Sequence, residues 1–413
     1  MRSYPMTRRL DWRSWVTPRL LEDRPIHRWY VFPHSFTDEL VKALIAEWEL
    51  DGSDTIVDPF AGAGTAVLAA KELGIPAQGF DLSPLSVLAT QVKVANYSPK
   101  RLKRHWDSLS KGIRVCGADG EAEHYPDLVV EALRGRRLAT LHAIKQSIAK
   151  LPASKAEKRF FLLALLSILP QFSRAVATGG WLSWRESFLR AESIRDALAE
   201  QVAMMLEDLD SRHLSRSADW AGTRADARAL PFCGQRASAV ISSPPYPNRH
   251  DYTRVFGVEL MFGFLNWDET RDLRYQSFHS HPEARPKRPK ASGYTEPAFV
   301  RRAIADVTRQ PEQERVVRML RGYFLDLYLS LKEVCRILKP GGRAGFVVGN
   351  AQYHGAVIEV DRATATIGEQ CGLVCQEIRL VRERGNSAQQ MGRFGRLPSR
   401  ESVVLFARPE SRR

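Results

Sequence analysis

The stretch Ser243-Pro244-Pro245-Tyr246 sets a hydroxyl, two rigid prolines and an aromatic ring side by side. It follows Ala239-Val240-Ile241, an apolar run that reads as a buried strand. Two successive prolines offer no N–H and hold φ fixed, so their carbonyls point in set directions. A hydroxyl, a fixed carbonyl and a ring face can together hold one flat, amino-bearing heterocycle. Methyl transfer to an exocyclic amine of a nucleobase needs such a holder. The same four residues would also serve as a rigid turn after a strand.

A second stretch, Thr55-Ile56-Val57-Asp58-Pro59-Phe60-Ala61-Gly62-Ala63-Gly64-Thr65, reads as a strand that breaks into a glycine-rich turn. Ala66 to Leu73 then has helical character, and Gly74 ends it. Gly62 and Gly64 permit a tight turn and close approach of backbone to a ligand. Dinucleotide-binding turns use the same geometry, but their third glycine would fall at Val67, so that pattern fails. The next strand, Ala77-Gln78-Gly79-Phe80, ends at Asp81, where an acid in such folds typically binds ribose hydroxyls. A plain strand–helix turn and a surface helix cap are the alternatives for the glycines and for Asp81.

Periodicity supplies the elements that must position these residues. Leu40, Val41, Leu44, Ile45 and Trp48 predict a helix over 37–50. Strands are predicted at Thr55–Asp58, Ala77–Asp81, Gly222–Asp226, Ala239–Ser243 and Arg343–Val348, with helices over Ala66–Leu73, Pro84–Val94 and Arg315–Leu338. This alternation implies an α/β fold with a doubly wound, mostly parallel sheet. Glu377–Arg382 and Ser402–Ala407 predict a closing antiparallel hairpin around a basic loop, 384–400. The alternation is interrupted twice. Residues 98–221 are mostly helical in period and form an insertion between strands two and three. Residues 266–314 are irregular and include Arg285-Pro286-Lys287-Arg288-Pro289-Lys290, which cannot be a helix interior. The expected plan is therefore a core made of 1–97, 222–265 and 315–413, carrying a helical insertion at 98–221 and a basic loop at 266–314.

These motifs resemble those of the S-adenosylmethionine-dependent DNA amino-methyltransferases. Asp58 to Thr65 matches the family's cofactor loop. Ser243-Pro244-Pro245-Tyr246 matches its catalytic tetrapeptide in the form usual for cytosine-N4 enzymes; adenine-N6 enzymes usually carry Asp or Asn first. Trp29-Tyr30-Val31-Phe32-Pro33-His34-Ser35-Phe36 resembles the segment covering the methionine end of the cofactor. Asp226, in Arg224-Ala225-Asp226-Ala227, resembles the acid that holds the adenine amino group, and Leu338-Lys339-Pro340-Gly341-Gly342 resembles the late core. The resemblance covers Arg28 to Tyr97, Thr223 to Leu265 and Arg315 to Arg408.

The resemblance implies a class I methyltransferase fold with unpermuted motif order. It implies S-adenosyl-L-methionine as cofactor, held by Phe32, Asp58, Phe60, Gly62, Gly64, Thr65, Asp81 and Asp226. It assigns catalysis to Ser243, Pro244, Pro245 and Tyr246, acting on the N4 amine of cytosine in double-stranded DNA, with the target base flipped from the duplex. Adenine-N6 methylation of DNA, RNA base methylation and a catalytically inactive nucleic-acid binder are the alternatives. Such enzymes usually belong to restriction–modification systems, which implies a cognate restriction endonuclease as a candidate partner. Target recognition falls to 98–221 or to 266–314.

Composition sets wider bounds. Lys+Arg 61 against Asp+Glu 47 gives a net charge of +14, which suits a polyanionic partner and also an ordinary soluble protein. Five cysteines, at 116, 233, 335, 371 and 375, form no disulfide framework and suggest a reducing cytoplasm. Cys371 and Cys375 lack a second pair, so no metal is expected. No Pro-Cys dipeptide exists, so the covalent cysteine route to cytosine C5 lacks an obvious nucleophile. The longest apolar run, Phe160 to Pro170, is far too short to span a bilayer, and Met1 to Arg13 lacks an apolar signal core, so no membrane partner is expected. Asn248, Arg249, His250, Asp251 and Tyr252 line a pocket mouth, contact the flipped nucleotide, or cap a helix entry. Arg285–Lys290 and Arg134-Gly135-Arg136-Arg137 either track phosphates or are solvated. Trp181 and Trp184, beside Gly179-Gly180, are read as core rather than DNA-stacking groups, and His34 as a histidine without a catalytic role.

Overall fold

Neighbouring residues of the central strands face opposite sides of one sheet, and both sides are apolar. Ile56, Ala239, Ile241, Val347, Val403 and Leu405 enter one core, while Val57, Val240, Ala344, Phe346, Val348, Val404 and Phe406 enter the other. A strand buried on both faces reads as a continuous apolar run, which is why these segments were legible as strands. The computed structural model describes residues 3–113, 124–186, 193–211, 214–215, 219–289, 291–308, 314–385 and 399–410.

The main sheet has eight strands: β1 (Met6–Arg8), β2 (Ile56–Asp58), β3 (Ala77–Asp81), β6 (Trp220–Arg224), β7 (Ala237–Ser242), β8 (Leu338–Gly349), β11 (Val374–Arg384) and β12 (Ser399–Ala407). Two hairpins lie outside it, β4 (Ala175–Thr178) with β5 (Trp181–Trp184), and β9 (Ala351–Tyr353) with β10 (Ala356–Ile358). The spatial order is β1-β11-β12-β8-β7-β2-β3-β6. Within this sheet β12 alone runs antiparallel to its neighbours. Helices Asp38–Glu47, Thr65–Glu72 and Pro84–Val94 cover one face, and Ala298–Thr308, Glu314–Ile337 and Val360–Gln370 the other. The chain reverses its direction of winding between β2 and β7, and in such sheets the ligand crevice opens at the carboxyl ends of those strands.

The expected doubly wound sheet, with its antiparallel closing hairpin, is thus present. Not foreseen were the edge strand β1 and, outside this sheet, the hairpin β9–β10 and the hairpin β4–β5 within an otherwise helical insertion. The insertion supplies helices Pro99–Gly112, Asp127–Leu133, Arg136–Lys150, Lys155–Phe172 and Ile194–Ser211. Lys155–Phe172 starts at a reciprocal cap, Ser154 with Glu157, and packs on Pro84–Val94. Phe160, Leu163 and Leu166 therefore share one continuous core with Leu85 and Leu88, so the insertion extends the first face rather than forming a separately cored unit.

The basic loop expected at 384–400 lies outside the described residues from 386 to 398, as do Lys290 and Cys116. Cys233, Cys335, Cys371 and Cys375 are free thiols. Among the described residues, no helix is long and apolar enough to cross a membrane.

Candidate active site

β2 ends at Asp58, and the turn that follows is fixed by two carboxylates. Asp58 is 1% exposed and accepts hydrogen bonds from the Ser242 hydroxyl and from the Phe60 N–H. Burial pushes its carboxyl up to about 7 against those bonds. Asp81, at the end of β3, accepts from the N–H of Gly62 at 3.0 Å and of Ser83 at 2.9 Å, tying the turn to the next helix. Burial raises its pKa, and these backbone N–H groups oppose the rise. Gly64 opens the helix with φ +81°, and a Cβ there would stand 2.9 Å from Thr90 Cα. Only glycine meets both demands.

This frame brings Phe60, Gly62 and Asp81 into the wall of one wide cavity, with Phe32, Asp226, Ser243 and Pro245. Phe32 closes the cavity by stacking on Phe256, with ring centroids 4.6 Å apart. The segment bearing Phe32 is anchored by Asp208 of the insertion, which accepts from Ile26 N–H (2.8 Å), Trp29 Nε1 (2.9 Å) and Arg28 (2.6 Å). At the other end, Arg228 grips Asp226 through Nε (2.8 Å) and Nη2 (2.7 Å). Arg228 is buried and is held in turn by Asp326 at 3.1 Å and by the Gln276 carbonyl at 2.6 Å. Burial pushes the Asp326 carboxyl up, but the His279 hydrogen bond and the Arg228 and Arg288 guanidinia hold it below the ordinary range. Arg288, from the basic run 285–290, thus donates to a buried carboxylate at 2.7 Å and is structural.

The tetrapeptide follows β7. The Ser243 hydroxyl donates to the Val347 carbonyl at 3.0 Å. A hydroxyl has one proton, so its lone pairs remain available as acceptors. Ser243 also lines a second, narrower cavity, with Pro244, Tyr246, His34, Phe36 and Tyr252. The Tyr246 ring lies against Gly349 so closely that a Cβ on Gly349 would come within 2.7 Å of it. The Tyr353 hydroxyl donates to the Pro247 carbonyl at 2.6 Å and fixes the following loop. Arg249 sits in that loop at φ +66°, its guanidinium 5.1 Å over the Tyr353 ring. A non-glycine residue held there is strained, a feature that concentrates at functional sites. His250 stands edge-on to His34 at 4.4 Å and 4.8 Å from Tyr252. Burial, then the neighbouring His34, pushes His250 down to about 4, so its ring is neutral at neutral pH. Asp251 caps the short helix Tyr252–Val255, accepting from the N–H of Thr253 and Arg254, while Tyr252 lines both cavities, so the stretch both caps and lines.

The site residues expected from sequence are therefore distributed as follows. Phe32, Phe60, Gly62, Asp81, Asp226, Ser243 and Pro245 share the wide cavity; Ser243, Pro244 and Tyr246 share the narrow one. Asp58, Gly64 and Thr65 lie in neither wall and act on its shape. Phe256, Asp208, Arg228 and Asp326 had escaped notice. Arg228 is only two residues from Asp226, but nothing local marks its partner a hundred positions away.

A further expectation is corrected. Trp181 and Trp184 are not core: they are 57% and 52% exposed. The two-residue turn Gly179-Gly180, with φ +60° at Gly179, closes a hairpin that lifts both rings off the helical core. Arg134-Gly135-Arg136-Arg137 joins two helices, and Arg134 pairs with Glu131 at 2.6 Å. Two clusters have ligand-like composition, but cations already occupy them. Lys42 bridges Asp38 and Glu72 beside His27, at 2.7 and 2.6 Å; Arg274 and Arg254 hold Asp251 beside His281, at 3.0 and 3.3 Å.

No protein-family model matches the chain. The chain is 27% identical to the type II methyltransferase M.BsoBI of Geobacillus stearothermophilus, over 96% of its own length and 88% of that protein's. It is 26% identical to the type II methyltransferase M.AvaI of Nostoc sp., over 96% and 89%. A shorter match, 31% identical over 98 residues, covers 23% of the chain and 18% of the type II methyltransferase M.MjaII of Methanocaldococcus jannaschii. The sheet order, with its single antiparallel strand, is that of the class I methyltransferase fold, for which the resemblance implies S-adenosyl-L-methionine as cofactor. The wide cavity suits that cofactor, with aromatic walls for its apolar parts and an acid at each of two strand ends for its hydroxyl and amino donors.

Proposed function

We propose that the protein transfers a methyl group from S-adenosyl-L-methionine to the exocyclic N4 amine of cytosine in double-stranded DNA. It would act at a specific sequence, as the modification arm of a restriction–modification system. One observation carries the reading: Ser243, its only proton committed to Val347, stands in the wall common to the two cavities. A neutral acceptor at the junction of a cofactor cavity and a second, narrower one is what an amino group needs as its substituent arrives.

On this reading Phe32 covers the methionine end of the cofactor, Asp81 accepts from the ribose hydroxyls, and Asp226, oriented by Arg228, accepts from the adenine amine. Bound there, the cofactor supplies an electrophilic methyl carbon on a sulfonium. The cytosine amine is a weak nucleophile because its lone pair is delocalised into the ring. Ser243 Oγ and the Pro244 carbonyl accept its two N–H bonds and favour localisation of that pair. Both contacts strengthen as positive charge develops on nitrogen, so they stabilise the transition state more than the ground state. Tyr246, backed by Gly349, stacks on the base, and the amine then releases one proton to solvent. No described cysteine lines either cavity, which supports attack by the amine over a covalent route to C5.

The test is methyl transfer from labelled S-adenosyl-L-methionine to unmethylated duplex DNA, with the nucleoside product identified by mass. N4-methylcytosine is expected. N6-methyladenine would retain the cofactor assignments and overturn the reading of Ser243; transfer to RNA alone would overturn the DNA substrate.

A further inference from the structure

The hairpin β4–β5 does not belong to the fold's methyl-transfer machinery, yet it abuts it. A Cβ on Gly180, at its turn, would lie 3.3 Å from His250 Nδ1 and 3.5 Å from the Arg249 carbonyl. The turn therefore rests on the loop that continues from the tetrapeptide. Thr178 and Gly179 are exposed, and Trp181 follows the turn at once. The hairpin's inner face, with Ala175, Ala177 and Leu182, turns toward the helical body, whereas Trp181 lies on the outer face. Arg254 packs on the Trp181 ring at 4.9 Å while paired with Asp251, so it orients the ring rather than seeking an anion. Arg249 is exposed and has no ion pair among the described residues.

A tryptophan with more than half its surface in water, held in place by a cation beside the target cavity, is an apolar group awaiting an apolar partner. A base pair offers one, because every base has a stacking face. The chain's net charge of +14 matches a polyanion, and so does Arg249, an exposed cation in the loop on which the turn rests, with no ion pair among the described residues.

We infer that the tip of this hairpin, Thr178–Trp181, enters the duplex beside the target base, and that Trp181 takes the stacking position the extruded base vacates. The side-chain-free Gly179-Gly180 turn lets the backbone approach the strand, and intercalating side chains of this kind offset the cost of unstacking. The inference rests on the DNA reading above. Trp184, about 10 Å back along the hairpin, stays outside the duplex.

The test compares two duplexes carrying the site that the methylation assay maps: one with the target base paired, one with it facing an abasic position. On the paired duplex, Trp181→Ala should turn over about ten- to a hundredfold more slowly than the wild type, the loss of one base–aromatic stack. On the abasic duplex, where no pair need open, it should stay within about twofold, and Trp184→Ala should do so on both. Trp181→Phe should recover most of the paired-duplex rate, and labelled-cofactor binding by every variant confirms the fold. Equal losses on both duplexes, or none, would overturn the inference and leave the proposed activity standing. No transfer by the wild type to either duplex would overturn the activity and the inference with it.

Discussion

The wide cavity and the narrow one meet at Ser243, but the chain builds them differently. Much of the wide cavity comes from strand ends and the turns that follow them, so its key residues sit in compact local motifs: Asp58 to Thr65, Asp81, Asp226. The narrow cavity gathers Phe36, Tyr246, Tyr252 and Val347 from segments far apart in sequence. The first is set by backbone geometry close to the sheet. The second depends on side chains that other side chains hold in place. Damage to the first should therefore weaken cofactor binding, and damage to the second should slow turnover while the cofactor still binds.

The sharpest test of that separation is Ser243→Ala. Removing a preorganised polar group at a reacting centre costs about 10²- to 10³-fold in kcat. Equilibrium dialysis should find cofactor affinity within about twofold of the wild type; a matching loss of affinity would break the distinction. Arg228→Met probes the opposite wall. It leaves Asp326 buried without one of its cations and frees Asp226, so we expect about 3 kcal/mol lost in urea unfolding and about tenfold weaker cofactor binding, with kcat little changed at saturating cofactor.

A third substitution lies outside both cavity walls. Glu259 is buried within the helix Gly257–Gly263 that follows Phe256, and burial pushes its carboxyl up to about 7 from an ordinary 4.5. The native state thus keeps a proton that the unfolded chain releases between about pH 4.5 and 7, so this residue's contribution makes stability fall as pH rises across that window. Glu259→Gln should be about 2–3 kcal/mol more stable than the wild type at pH 8 and nearly equal to it at pH 4. Parallel urea melts at the two pH values read the difference. The smallest effect belongs to Gly349→Ala. Its new methyl would press on the Tyr246 ring, lowering kcat about tenfold without changing cofactor affinity.

The same contrast explains what could be read from the sequence. The parallel strands announce themselves because both sheet faces are covered, and the turn after β2 does so because its backbone needs glycine at 64. Phe32 and Asp226 were legible only through resemblance. Arg228 and Asp208 were not legible, since each is defined by a carboxylate or backbone partner distant in sequence. Trp181 was misread because residue type favours burial for tryptophan, whereas exposure here follows from a two-residue hairpin whose turn contacts a loop seventy positions later. Arg288 was misread in the reverse sense: a run of positive charge suggested solvent or phosphate, and a buried aspartate claims one member of it.

The three-residue strand β1 has a consequence for how the protein behaves in solution. It pairs in parallel with β11, Met6 beside Ile378 and Arg8 beside Leu380, and so closes one margin of the sheet. All three of its residues are exposed, and Arg8 meets Glu383 at 3.3 Å. Being short and charged, it is a poor template for a further strand. A protein shortened past Arg8 would present the hydrogen-bonding groups of β11 to its neighbours, and chains would join edge to edge as concentration rises. The three residues of β1, in neither cavity wall, thereby keep the chains from associating along that edge.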